Sequence, residues 1–463
     1  MVLHSYDILL SDIFEEMFLF FHAPTMKIIS LDKKKDSEII RFLQSFTENG
    51  PQITRRIMRG DYDLYYSQIC NILESAPYST TIRSKNNSPI LANVVLPIAS
   101  SCNLCCPYCF AQTNNGFHFK SYTKGDIERT ITLLAENYKK HRQKVSIAFF
   151  GGEPLIKYDL IKFCLEFTKQ NYPNIPISYS ITTNGTLITS DVIETFKKYN
   201  VDVLVSVDGL DNEFNMRKFH DGRKSIELVL KNIKELRDNG INVQLRATMI
   251  NTNPYILQTF RFFEEIEIPF SIVFAYSSEN TNHDYSTYNA DILAGIRNQL
   301  EGVYEYYVEK IYSGAPIYNM KFHAYAKTVK MRIKRDISCA SGRTFFTLMS
   351  NGDIFTCSHY MNNPKYIVGN IFAPMQFKED KLSKLSPEKL YRHKSCTKCW
   401  ARYLCLGGCT SQIIIAGGTN VSSYMGNECE LMKIEFILYL KMFFHAFKCK
   451  YSGSRNIVVN SSC

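Results

Sequence analysis

The stretch that decides the fold reads SCNLCCPYCF over residues 101–110 and contains four cysteines. Three of them have the spacing Cys102-x3-Cys106-x2-Cys109. Three thiolates on one short loop can hold three irons of a four-iron cluster, which leaves the fourth iron open for a substrate or a cofactor. An electron-transfer cluster normally closes all four positions with cysteine, and a zinc knuckle favours paired C-x2-C arms. Cys105 breaks this spacing, so we do not expect it to be a ligand.

Alternating strand and helix patterns extend from about residue 90 to residue 276 and predict an α/β fold. Strand-like segments occupy 93–98, 145–150, 177–181, 201–207, 243–249 and 270–276, and helical segments occupy 124–139, 158–168, 191–198, 225–239 and 255–265. Six such units indicate a parallel sheet, and we expect an open, partial (β/α)6 barrel of the TIM type. The cysteine loop then lies on the C-terminal rim, where active sites form in such barrels.

Glycine and polar residues follow the predicted strands and offer a binding surface on the same rim. The sequence Gly151-Gly152-Glu153-Pro154 ends the second strand. Its glycines let the backbone approach a ligand closely, and its carbonyls and carboxylate can accept hydrogen bonds from a cationic amino group. Ser206 and Asp208 are two residues apart on one predicted strand, so they point to the same side and can reach ribose hydroxyls.

The cysteine loop closely resembles the cluster loop of radical S-adenosylmethionine (SAM) enzymes. In that family SAM chelates the open iron, and an electron from the [4Fe-4S] cluster cleaves it to a 5′-deoxyadenosyl radical that abstracts hydrogen from the substrate. The resemblance implies that the GGEP turn holds the SAM amino group. It also implies SAM contacts for the remaining residues that match family positions, namely Tyr108 at the adenine, Ser206 at the ribose, Thr183 and Asn184 in a TNG element near SAM, and Arg217 near the carboxylate.

Seven further cysteines follow the predicted barrel. Cys339 and Cys357 enclose Gly352 as C-x12-G-x4-C, and the rest follow as Cys396-x2-Cys399-x5-Cys405-x3-Cys409 and then Cys429. This order closely resembles the SPASM extension of radical SAM enzymes, which houses two auxiliary four-iron clusters. The resemblance assigns Cys339, Cys357 and Cys409 to the first auxiliary [4Fe-4S] cluster, which lacks a fourth cysteine. It assigns Cys396, Cys399, Cys405 and Cys429 to the second, and a zinc ribbon over 396–409 is the alternative.

We therefore expect four regions along the chain. Residues 1–90 form an N-terminal extension, either a leader-peptide recognition domain or a cap packed on the barrel. Residues 91–310 form the radical SAM core, residues 311–338 a bridge, and residues 339–463 the SPASM domain with a C-terminal helix around 436–447. The remaining cysteines match no motif and are expected to be structural or free thiols, namely Cys70, Cys164, Cys449 and Cys463.

The composition and charge of the chain limit its possible binding partners and its cellular compartment. The chain has 463 residues and a formal net charge of +10, but its lysines are scattered, so we expect no nucleic-acid partner. The N-terminal residues lack a signal pattern, and no apolar run is long enough to span a bilayer. Because cluster thiolates need a reducing compartment, we expect a cytoplasmic protein without a membrane partner.

The residues after Cys357 favour one branch of the SPASM enzymes. In anaerobic sulfatase maturases the matching cysteine is followed by an aspartate that acts as a base, whereas here Ser358 and His359 follow. We therefore predict a maturase that crosslinks a precursor peptide by a carbon–carbon, ether or thioether bond in natural-product biosynthesis, with flavodoxin or ferredoxin as reductant. A sulfatase maturase is the first alternative. A non-catalytic iron–sulfur carrier is the second, although a carrier needs no nucleoside pocket. No side chain is assigned as catalytic.

Overall fold

The computed structural model describes residues 3–14, 16–74, 81–82, 88–109, 119–210, 215–275, 287–361, 363–373, 377–387, 394–415, 417 and 426–451. Phe110 of the cysteine loop, Tyr276 of the last predicted barrel strand and Cys463 lie outside these ranges. The described cysteines are all free thiols.

The N-terminal region is a three-stranded antiparallel sheet followed by two helices. The strands, in the order β1-β2-β3, are β1 (Ile8–Phe14), β2 (Met17–His22) and β3 (Lys27–Asp32), and the helices are α1 (Ser37–Met58) and α2 (Tyr62–Glu74). Because strand side chains alternate between faces, Leu19 and Phe21 join the main core of the protein while Phe20 joins a small core with α1 and α2. The sheet therefore separates two hydrophobic cores.

The central region contains the six parallel strands predicted from the sequence, each within three residues of its predicted bounds. After the short strand β4 (Thr81–Ile82), they are β5 (Asn93–Ala99), β7 (Val145–Gly151), β8 (Ile177–Thr183), β9 (Val201–Ser206), β11 (Val243–Met249) and β12 (Phe270–Phe274), in the order β12-β11-β9-β8-β7-β5. Helices α3 (Lys124–His141), α4 (Tyr158–Asn171), α5 (Ser190–Tyr199), α6 (Ile226–Asp238) and α7 (Ile256–Ile266) follow the first five of these strands. The α/β fold with a parallel barrel-like sheet is confirmed.

Two further short strands, β6 (Leu104–Cys105) and β10 (Lys218–Phe219), pair with each other outside the main sheet. In the barrel, buried and half-buried side chains alternate along β7, where Ile147 and Phe149 are fully buried and Ser146 and Ala148 are not. One face of β7 is thus buried in the core, and its other face is half-buried.

The C-terminal region extends the barrel sheet, which the sequence did not predict. It contains α8 (Ala290–Ser313), α9 (Met320–Lys330), β13 (Lys334–Arg335), β14 (Phe345–Leu348), β15 (Asp353–Phe355), β16 (Gly369–Asn370), α10 (Glu379–Leu385), α11 (Lys394–Thr397), α12 (Arg402–Cys405), α13 (Thr410–Ile415) and α14 (Asn427–Tyr451). Strand β14 pairs in parallel with β5, and β15 and β16 continue the sheet to nine strands. The region boundaries at 90, 310 and 338 stay predictions.

Helix α14 includes the predicted C-terminal helix and extends beyond it at both ends. Glu435 pairs with Lys321 of α9 at 2.8 Å, and Lys441 lies 3.4 Å from Glu301 of α8, so α14 is attached to both helices. Within the described ranges, no helix combines the length and the apolar character needed to cross a membrane.

Candidate active site

The cysteine loop leaves β5 and crosses the end of β7 at the predicted Gly-Gly turn. The Gly152 N–H donates to the Ala99 carbonyl at 2.9 Å, and the Glu153 N–H donates to the Ser101 carbonyl at 2.9 Å. A Cβ atom on Gly151 or Gly152 would lie 2.2 Å from the carbonyl oxygen of Ala99 or Ser101. Only glycine permits this close approach, so the turn fixes where the cysteine loop starts.

The Glu153 carboxylate is fully buried and bonded within the protein. It accepts hydrogen bonds from Thr183 Oγ1 at 2.7 Å, from the Asn184 N–H at 2.7 Å and from the Leu155 N–H at 3.0 Å. Burial raises the pKa of Glu153 to about 7, and these three hydrogen bonds oppose the rise. The carboxylate therefore joins the ends of β7 and β8, and the contact with a SAM amino group predicted for this turn stays a prediction.

The three cysteines of the loop lie close enough for their charges to interact. The pKa of Cys102 is raised to about 11, mainly by burial and further by Glu153 and Cys109. Burial also raises the pKa of Cys106, while the nearby Arg217 opposes the rise. Cluster binding must release protons from such thiols. The structure thus brings together the three predicted ligands of the first cluster.

Asn184 holds the cysteine loop from the neighbouring strand end. Its Nδ2 donates to Asn103 Oδ1 at 2.8 Å and lies 3.9 Å from Cys102 Sγ. Asn103 in turn donates to Thr186 Oγ1 at 2.8 Å. Two residues predicted as SAM contacts, Thr183 and Asn184, therefore also support Glu153 and the cysteine loop.

Tyr108, Asp208 and Arg217 form one network beside Cys106. The Asp208 carboxylate accepts hydrogen bonds from the Tyr108 hydroxyl and from the Thr248 N–H, and it lies 3.0 Å from Arg217 Nε. The guanidinium lies over the Tyr108 ring at 5.6 Å. Both members of the ion pair are largely buried, with 14% and 5% of the Arg217 and Asp208 side chains exposed. The network places an aromatic ring, a cation and a carboxylate side by side near Cys106.

Ser206 ends β9 on the half-buried side of that strand, opposite Arg246 of β11. Strand β9 ends at Ser206, one residue earlier than predicted. Asp208 lies two residues beyond the strand, and its carboxylate accepts a hydrogen bond from the Thr248 N–H. Ser206 is half-buried, whereas the Asp208 carboxylate is bonded to Tyr108 and Thr248 and lies beside Arg217.

Sequence reasoning missed the segment that closes over the cysteine loop. Strand β10 pairs with β6, so that Lys218 lies opposite Cys105 and Phe219 opposite Leu104. His220 Nε2 lies 3.0 Å from the Cys102 carbonyl oxygen. No spacing or composition signal marks these residues, because the two segments are more than a hundred positions apart in the chain. Cys105 is exposed in this pairing.

The seven later cysteines fall into the same two groups in space as in the sequence prediction. Burial raises the pKa of Cys357 to about 11, with further contributions from Cys409 and Cys339. Burial likewise raises the pKa of Cys405 to about 12, with contributions from Cys429, Cys396 and Cys399. The assignment of each cysteine as a cluster ligand stays a prediction.

These places offer free thiols as donor groups. Within the parts of the chain that the structure describes, no three His, Cys, Asp or Glu side chains converge as a single-metal site requires. In a four-iron cluster each thiolate binds a different iron, so its ligand sulfurs need not converge on one point. Groups of three or four neighbouring thiols fit that requirement.

His359 lies between the first auxiliary cysteine group and the barrel. It belongs to the short 3-10 helix Ser358–Tyr360 that follows Cys357. Burial lowers the pKa of His359 to about 4, and Arg246 of β11 lowers it further. The imidazole is therefore neutral at physiological pH.

Comparison with known proteins identifies the class. Residues 96–263 match the Radical SAM superfamily. The chain therefore contains a region similar to the radical SAM domain, and a [4Fe-4S] cluster and SAM are the characteristic cofactors of that superfamily.

The relatives include two kinds of maturase. The radical SAM cyclopropyl synthase TigE of Paramaledivibacter caminithermalis is 30% identical over 231 residues, which cover 46% of each chain. The cysteine-type anaerobic sulfatase-maturating enzyme of Clostridium novyi is 24% identical over 363 residues, which cover 75% of this chain and 94% of that one. The chain spans about half the length of TigE and of an uncharacterized protein of Methanocaldococcus jannaschii that it also matches.

A solved structure shares the fold. Native anSMEcpe with bound AdoMet and Cp18Cys peptide is 20% identical, with a TM-score of 0.60, and the match covers 80% of this chain and all of that one. At this identity the likeness supports the fold, which is that of a radical SAM barrel with additional regions.

Proposed function

We propose that this chain is a peptide maturase that abstracts hydrogen from a precursor-peptide side chain and installs a crosslink. The observation that carries the proposal is the neighbourhood of Cys102, Cys106 and Cys109 and the buried Tyr108–Asp208–Arg217 network, in a chain with two further cysteine groups. A [4Fe-4S] cluster with SAM would supply the 5′-deoxyadenosyl radical that abstracts the hydrogen. Cys102, Cys106 and Cys109 would hold that cluster.

The protein residues around this place would bind and orient SAM. Tyr108 and Arg217 offer a ring and a cation, held by Asp208 at 3.0 Å from Arg217 Nε. Ser206 lies at the same strand end and can bind a ribose hydroxyl. Preorganised groups of this kind bind without the cost of rearrangement. The auxiliary cysteine groups would hold two [4Fe-4S] clusters that take up the surplus electron, and flavodoxin or ferredoxin would supply electrons in the cytoplasm.

The residues after Cys357 favour crosslinking over formylglycine formation. The sulfatase branch has an aspartate at the position of Ser358. Serine is a poor base at neutral pH. A substrate radical without a neighbouring base would attack a nearby side chain. The peptide would then lose two hydrogens per new bond, one to the deoxyadenosyl radical and one as a proton, with one electron passing to an auxiliary cluster.

The N-terminal sheet would recognise the peptide. Among the described strands, β3 pairs only with β2, so its outer edge is available to an added strand. An extended peptide can bind such an edge through main-chain hydrogen bonds. We therefore favour leader recognition over a purely structural cap for residues 1–90.

Co-expression with each short open reading frame that a search of the neighbouring genes finds, followed by fragmentation mass spectrometry, tests the proposal. We expect a loss of two hydrogen masses per bond and suppressed fragmentation between the joined residues. A C102A/C106A/C109A variant should give unmodified peptide, and the wild-type chain with an unrelated peptide is the matched control.

A sulfatase maturase is the second candidate, because the Clostridium novyi enzyme matches over 75% of this chain. It is tested with a sulfatase peptide that contains the target cysteine. Formylglycine in that peptide, with no ring in the neighbouring precursor, would assign the chain to this second branch. SAM cleavage in either assay would argue against a non-catalytic electron carrier.

A further inference from the structure

Arg402 links the second auxiliary cysteine group to the N-terminal sheet. It begins α12, between Cys399 and Cys405, and only 8% of the residue is exposed. Its Nη1 donates to the Cys399 carbonyl at 2.8 Å, and its Nη2 donates to Asp7 Oδ1 at 2.6 Å. Asp7 lies immediately before β1 and is 3% exposed. One guanidinium therefore binds both a cysteine of the group and the first strand of the chain.

The surrounding packing makes this link part of a broad contact. The Phe21 ring meets Trp400 edge to face at 6.5 Å. Lys334 Nζ donates to the Pro24 carbonyl at 3.0 Å and lies 5.6 Å from the centre of the Tyr403 ring. The loop that carries the cysteines thus rests on the face of the sheet that joins the main core.

The charges around Arg402 explain why Asp7 is needed there. Lys334 adds a second cation, and His22, whose pKa burial lowers to about 4 with help from Arg402 and Lys334, stays neutral. A buried guanidinium without a counter-charge is strongly unfavourable, whereas a hydrogen-bonded pair is tolerated. Asp7 supplies that counter-charge, and the fixed guanidinium geometry then directs a second N–H at Cys399.

We propose that Arg402 is a positioning residue, which Asp7 holds in place so that it fixes the Cys399 loop against the N-terminal sheet. The N-terminal sheet is then required to form the second auxiliary site, in addition to its role in peptide recognition. This inference rests on the proposed function in one respect, the assignment of Cys396, Cys399, Cys405 and Cys429 as cluster ligands.

Iron content and electron paramagnetic resonance of the anaerobically reconstituted full-length protein provide the test. Three clusters give about twelve irons per wild-type chain. We expect D7N and R402Q to hold about eight, to lose one cluster signal and to keep SAM cleavage. R402K keeps the charge but not the forked geometry, so it should fall between them and the wild type. D63N is the control, since it breaks the exposed Arg55–Asp63 pair in the same region and should leave the iron content unchanged.

A double variant separates positioning from folding. D7L/R402M replaces the buried pair with apolar side chains, which restores packing but supplies no N–H donor to Cys399. We expect native circular dichroism and still about eight irons. Full iron content and unchanged spectra in R402Q or in D7L/R402M would overturn the proposal. A wild-type chain with about four irons would instead remove the auxiliary-cluster assignment, and the positioning role with it.

Discussion

Gly152 leaves no space for a side chain where the cysteine loop crosses the end of β7. In G152A the new methyl group would lie 2.2 Å from the Ser101 carbonyl oxygen, so the loop must shift. Because misplacement by about 1 Å can lower rates by about 10²-fold, we expect SAM cleavage to fall by roughly that factor. Chromatographic assay of 5′-deoxyadenosine measures it.

The matched control is G295A in α8, where the added Cβ would meet no atom within 4 Å apart from its chain neighbours and the backbone of its own helix. Alanine is the better helix former, so the free energy of unfolding of this variant should be higher by about 0.5–1 kcal/mol. Its SAM cleavage should be normal. Wild-type cleavage in G152A would show that the cysteine loop does not depend on the close approach.

Glu153 predicts a specific pH dependence of stability. The carboxyl has a pKa near 4.5 in the unfolded chain and about 7 in the folded one. Between these values the unfolded state has lost a proton that the folded state retains, so the free energy of unfolding falls as pH rises from 4.5 to 7. The fall is about 3 kcal/mol for this group alone and is complete above pH 7. Denaturant titrations of wild type and E153Q at several pH values measure the difference.

The side chain at position 153 cannot titrate in E153Q, so its free energy of unfolding should lack this pH-dependent contribution. The other ionisable groups contribute to the pH dependence of both proteins. Equal slopes for the two proteins between pH 4.5 and 7 would contradict the raised pKa. The result would then mean that the three hydrogen bonds to the carboxylate outweigh its burial.

At the scale of elements, the proposed peptide recognition depends on the outer edge of β3. Consecutive residues of an edge strand direct their N–H groups alternately to the neighbouring strand and outward. Proline has no backbone N–H, so I29P and S30P each remove one N–H of β3. In one variant the lost N–H points outward, and in the other it pairs with β2. We expect the variant that loses the outward N–H to keep its melting temperature and to lose affinity for the precursor peptide, as measured by fluorescence anisotropy. Unchanged affinity in the variant with native stability would rule out strand addition at β3.

Periodicity predicted the barrel elements well, because apolar side chains repeat at the spacing of strands and helices wherever one face is buried. The C-terminal helix was predicted too short. Its ends carry Asn427, Glu428 and Glu430 at one terminus and Lys448 at the other, so hydropathy identifies only its apolar centre. The pairing of β14 with β5 was not predicted, since strand pairing between distant segments leaves no local pattern.

For the molecule as a whole, the cysteine groups should act separately. Removing Cys102, Cys106 and Cys109 should abolish SAM cleavage, because no cluster with an open iron can form. C396A/C399A should reduce about twelve irons to about eight and leave some SAM cleavage, while crosslinked product is lost. Iron assay, 5′-deoxyadenosine formation and peptide mass are measured on the same samples. SAM cleavage that survives loss of the Cys102 group would contradict the site, and zinc in place of the later clusters would contradict the auxiliary assignment.

The sequence by itself determined the strand–helix order, the α/β barrel and the three cysteine groups, because short-range spacing encodes them. Only the tertiary structure decided how the supporting residues are used. Glu153 and Thr183, which looked like ligand contacts, are bonded to each other at 2.7 Å, and Asp208 is held by Tyr108 and Arg217. His220 and Arg402 gave no sequence signal. Their partners are Cys102 and Asp7, 118 and 395 positions away in the chain, and only folding brings such groups into hydrogen-bond distance.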